Sequence, residues 1–105
     1  MTRFDNGPAK GQTLMLKRAA RFLRVTEEAG KFDALDQLCD EPRSTEKLYA
    51  YEITKFSGTC HVRMSGGRGG FYAMATYHFV EPQPTDAEMR TETAWDAWVR
   101  KKVGK

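Results

Sequence analysis

Lys47-Leu48-Tyr49-Ala50-Tyr51-Glu52-Ile53-Thr54-Lys55 is the stretch on which the fold turns. Its side chains alternate, with Tyr49, Tyr51 and Ile53 on one face of an extended chain. Ser57-Gly58 reads as a break, and Thr59–Met64 as a short strand with Cys60, Val62 and Met64 inward and Thr59, His61 and Arg63 outward. Ser65-Gly66-Gly67-Arg68-Gly69-Gly70 follows as a hairpin tip carrying one cation. Phe71–Val80 is apolar on both faces, which predicts the longest strand at the centre of a sheet. Pro82 and Pro84 stop it.

Further out, Phe22–Thr26 is rich in strand formers and Glu28-Ala29-Gly30 in turn formers. Lys31–Leu35 is predicted to return as a second strand. Leu14–Ala20 stays undecided between helix and strand, because Lys17, Arg18, Arg21 and Arg24 fall at helical spacing with Leu16, Ala19, Ala20 and Leu23 opposite them. Asp33–Pro42 fits one helical turn or an irregular loop. Thr85-Asp86-Ala87-Glu88 is a capping box and opens a helix to about Lys101, with Trp95 and Trp98 on its sheet-facing side. Met1–Gly11 reads as a flexible tail before a single domain over 12–105. The expected class is α+β: a small, mainly antiparallel sheet of four or five strands with one C-terminal helix packed on a face.

A chain of 105 residues supports a core without a metal or a disulfide. No apolar run is long enough to cross a membrane, and the N-terminus lacks the apolar core of a signal peptide, which predicts a cytoplasmic protein with reduced thiols. The net charge is +3, unevenly spread. Residues 1–24 hold six basic side chains against Asp5, residues 27–52 hold eight acids, and residues 55–80 hold none. Such segments either pair with one another in the fold or dock a charged partner.

No established chemical motif emerges. Cys39, Cys60, His61 and His78 lack the paired spacing of a zinc site, and Cys60 and His61 point to opposite faces of a strand. A nucleophilic pair of Cys60 with His78 across neighbouring strands lacks any oxyanion-hole motif. Asp33, Asp36, Asp40 and Glu41 match no calcium loop and read as a solvated or docking face. The glycine loop fails as a phosphate cradle in either register, and a strand rather than a helix follows it. One Arg-Gly-Gly-Phe unit falls short of the repeated units of RNA-binding tails. No metal, no cofactor and no catalytic residue is predicted.

The run Thr13–Val25, together with Asp33–Leu38 and the Gly-Arg-Gly-Gly-Phe-Tyr-Ala stretch, resembles small uncharacterised proteins carried by bacteriophages and prophages. The resemblance implies a class, small accessory proteins that bind and redirect or inhibit host machinery, anti-CRISPR proteins among them. It carries over no site residue. The expected function is therefore non-enzymatic binding to a host protein or a protein–nucleic-acid complex. The expected cations are Lys17, Arg18, Arg21, Arg24, Arg63 and Arg68, with Phe71 and Tyr72 as apolar anchors. The alternative is direct nucleic-acid binding, supported by the basic N-terminal third, a sequence pI of about 9.0 and aromatics beside arginines.

Overall fold

A computed structural model describes residues 1–35, 42, 45–63, 66 and 69–104. The strands are β1 (Thr2–Phe4), β2 (Thr13–Leu14), β3 (Phe22–Glu28), β4 (Lys31–Leu35), β5 (Lys47–Arg63) and β6 (Gly69–Phe79). Two helices follow, α1 (Asp86–Arg90) and α2 (Glu92–Val103). The strands form one sheet in the order β2-β1-β6-β5-β3-β4.

This corrects the expected α+β class. Strands hold 49% of the described residues and helices 18%, so the chain is mostly β: a six-stranded, mixed, nearly closed barrel-like sheet with two short C-terminal helices. The expected strands at 47–55 and 59–64 merge into β5, and the sheet still reaches six because residues 1–11, read as a flexible tail, contribute β1 and Thr13–Leu14 contributes β2. Thr2 pairs with Ala75 and Phe4 with Tyr77 in parallel, and both Thr2 and Phe4 are buried. Three residues are too few to show a period, so the pairing leaves no local trace. The single predicted helix is two because Thr91 keeps an extended backbone (φ −116°, ψ 146°) and caps α2 by accepting from the Ala94 N–H. The capping box at Thr85 and Glu88 forms as expected.

The stretch 47–55 is extended, with Tyr51 in the core and Tyr49 and Ile53 packed against it. Its other face is buried too. Leu48 and Ala50 join Phe22, Met89, Trp95 and Trp98 beneath the helices. Phe22 meets Trp98 edge-on at 5.0 Å, and Trp95 stacks on Trp98 at 5.1 Å. Ser57-Gly58 does not end the strand. The ladder shifts register between Phe56 and Thr59, with Gly58 at φ 98°, and β5 continues for 17 residues, so it and not β6 is the longest strand. β6 does lie inside the sheet, between β1 and β5. β3 and β4 make the predicted hairpin through Ala29 and Gly30, both at positive φ. The undecided segment 14–20 is neither helix nor regular strand beyond Leu14.

That segment explains the near closure. It runs from β2 to β3 across β6 and β5. The Leu16 carbonyl accepts from Ala73 N–H at 2.7 Å, the Tyr77 hydroxyl donates to the Ala20 carbonyl, and the Arg21 carbonyl accepts from Ile53 N–H at 2.8 Å. Leu16 is thereby buried in the inner core with Leu23, Val25, Tyr51 and Tyr77. Among the described residues, no helix is long and apolar enough to cross a membrane.

Candidate functional site

Beyond the crossing segment, β5 and β6 run on as a two-stranded arm. β3 flanks β5 only as far as Glu52, and β1 flanks β6 only from Ala75 to Tyr77. On the arm Thr59 stands opposite Ala73, His61 opposite Phe71 and Arg63 opposite Gly69. Strand parity puts these six on the face that carries Ala75 and Tyr77 into the inner core. The apolar face of the barrel thus continues into the open. There Phe71 is 65% exposed and packs against His61 at a tilt of 57°, with ring centroids 4.9 Å apart.

Phe56 completes this face. It lies opposite Ala75, just before the bulge, and is 57% exposed. A groove of 470 Å³ separates it from the crossing segment, lined by Lys17, Arg18, Ala19, Ile53, Phe56, Thr59 and Ala73. Among the described residues, the lining holds two cations and no carboxylate. Arg63 is exposed at the far end of the arm. The result is a strip with Lys17 and Arg18 at its base, Phe56, His61 and Phe71 along it, and Arg63 near the tip.

The eight predicted residues therefore separate. Lys17, Arg63 and Phe71 come together on the strip, and Arg18 lines both its groove and a cavity on the helix side that also holds Glu92 and Asp96. Tyr72 does not: it pairs with Cys60 on the opposite face of the arm and is half-buried. Arg21 points to the helix side, where it pairs with Glu52 at 3.5 Å and lies over the Phe22 ring. Arg24 is 4% exposed. Its guanidinium donates to the Met89 carbonyl at 3.0 Å and lies 5.4 Å from the Trp95 ring, so it clamps the helices to β3 instead of presenting a surface cation. Arg68 lies outside the described residues, as do Asp36, Cys39, Asp40 and Glu41. Phe56 was missed, although Gly58 two residues on marks the irregularity that sets it apart.

Gly69 has a structural reason. A methyl group there would collide with the Val62 carbonyl, so the arm closes its ladder only with glycine at this position. The remaining chemical groups are dispersed. Cys60 faces Tyr72 while His78 faces Glu52, far along the same ladder, so the two never meet as a catalytic pair. His78 instead binds Asp5 at 3.0 Å and Asn6 at 3.2 Å. Among the described residues, no three His, Cys, Asp or Glu side chains gather around a common point. Comparison of the chain with protein-family models, with curated proteins and with solved structures gives no match.

Proposed function

We propose that this chain is a small non-enzymatic binding protein whose contact surface is the strip on the β5–β6 arm. One observation carries the reading. Phe56 and Phe71, more than half exposed, share a face with Lys17, Arg18 and Arg63, and no acidic residue occurs from Ile53 to Val80. Exposed apolar residues scattered singly need no explanation, but two on one face, beside a groove with no carboxylate among its described lining residues, suit an anchor with a charged rim. The partner is a host protein or a protein–nucleic-acid complex in the cytoplasm of a host cell. Covering its surface blocks or redirects it, as the resemblance to phage accessory proteins implies. The aromatics supply the buried contact and the cations steer the approach.

Photocrosslinking tests this. A benzophenone-bearing residue replaces Phe71 in one preparation and Lys31, on the outer strand β4, in another. In bacterial extract the first is expected to capture a discrete adduct that the second does not. Equal capture from both positions, or none from either, contradicts the proposal.

A further inference from the structure

We infer that the strip takes a single-stranded nucleic acid, with bases on Phe56 and on the Phe71–His61 pair and phosphates on Lys17, Arg18 and Arg63. The inference rests on the contact-surface reading above and, of the two partners named there, takes the protein–nucleic-acid complex, with its nucleic acid as the part that the strip meets.

Three features favour this occupant. The first is stacking. Phe71 and His61 already form a tilted ring pair on an open face, and any base offers a π-face to such a platform without a demand on sequence. The second is charge. Cations stand at both ends of the aromatics, and neither the described lining of the groove nor the sequence from Ile53 to Val80 contains an acid that would repel phosphate. The third is shape. Thr59 to Arg63 advances about 13 Å along an arm two strands wide, with no flanking strand to wall it in. An extended strand can lie along such a ribbon. A protein anchor instead wants a pocket that buries the ring, and Phe71 is already fixed against its neighbour outside any pocket. Duplex DNA is read by a helix or a ribbon that enters a groove, with contacts to base edges, for which stacked rings are unsuited.

The test measures fluorescence anisotropy of labelled oligothymidine and oligouridine of about 12 nucleotides, and of a duplex of equal length. Salt is varied from about 50 to about 200 mM. Single strands are expected to bind more tightly than the duplex. With three phosphate contacts the logarithm of affinity falls against that of salt with a slope of about −2. Phe56→Ser and Phe71→Ser each weaken binding at least about fivefold, while Phe71→Trp keeps it. Lys17→Gln combined with Arg63→Gln flattens the slope to about −0.7. Absence of binding to any single strand at the lower salt overturns the inference. So does equal affinity for duplex, or full affinity in both serine variants. If the oligonucleotides fail while position 71 still captures a protein, the contact surface stands and the nucleic-acid partner falls. If both fail, both readings fall.

Discussion

The Tyr51 hydroxyl accepts a hydrogen bond from the Ala9 N–H at 2.9 Å and donates one to the Asn6 carbonyl at 2.9 Å. This single group ties the N-terminal segment to β5 across more than 40 residues of sequence. Ala9 is fully buried, so its amide has no route to water. Tyr51→Phe leaves that donor unsatisfied and is expected to cost about 1–3 kcal/mol, read from urea unfolding. Gly7→Ala attacks the same joint. Gly7 sits at φ +75°, and a methyl group there would lie 2.7 Å from the Tyr51 hydroxyl and 2.8 Å from the Phe79 ring. Wild-type stability in both variants would mean that residues 1–11 are not part of the core.

The same phenol sets an alkaline limit. Burial lifts Tyr51 above its ordinary value, against the hydrogen bond from Ala9, which lowers it. Tyr49 is lifted by burial and by its hydrogen bond to Glu27. Raised phenols mean that the unfolded chain releases these protons first as pH rises. Their contribution is whole below about pH 10 and is lost above it. Urea midpoints from about pH 8 to about pH 11 should fall at the upper end, and fall less in Tyr49→Phe. An equal fall in that variant would assign the effect to other groups.

Arg21 and Arg24 are near in sequence and opposite in fate. Arg24→Ala removes a charge-assisted bond to Met89 and the cover over Trp95, a loss of about 2–4 kcal/mol. Tryptophan emission should shift to the red as the helices loosen. Arg21→Ala breaks an ion pair whose partners are 55% and 43% exposed, and should change stability by less than about 1 kcal/mol. Equal effects would mean that Arg24 does not clamp the helices to β3.

Ala29 occupies the first turn position of the β3–β4 hairpin at φ 52°, in the left-handed region that glycine and asparagine adopt more readily than alanine. It is exposed, so no packing compensates. Ala29→Gly and Ala29→Asn are both expected to stabilise by about 0.5–1 kcal/mol in thermal or urea unfolding. Destabilisation by both would contradict the turn.

Much of this was legible in the residues. Alternation placed Tyr49, Tyr51 and Ile53 on one face, turn chemistry placed the hairpin at Ala29-Gly30, and the capping box started the helical region. The losses share a cause: they depend on contacts distant in sequence. Thr2–Phe4 becomes a strand only because β6 offers a parallel edge. The spacing of Lys17, Arg18, Arg21 and Arg24 mimics a helix, yet that segment is stretched across the sheet by bonds to Ala73 and Ile53. Its cations then face different ways, and Arg24 goes inside. On the strip, both Phe71 and Tyr72 were expected as anchors, and only the ladder puts them on opposite faces; Phe56 was hidden because a bulge interrupts the period.

On the proposal above, partners meet the arm and the crossing segment. Mapping backbone amide chemical shifts during titration with a short single-stranded oligonucleotide tests it most directly. Shifts are expected at Lys17–Ala19, Phe56–Arg63 and Gly69–Ala73, with α2 unmoved. Shifts centred on α2 or β4, or none at saturating oligonucleotide, would contradict it.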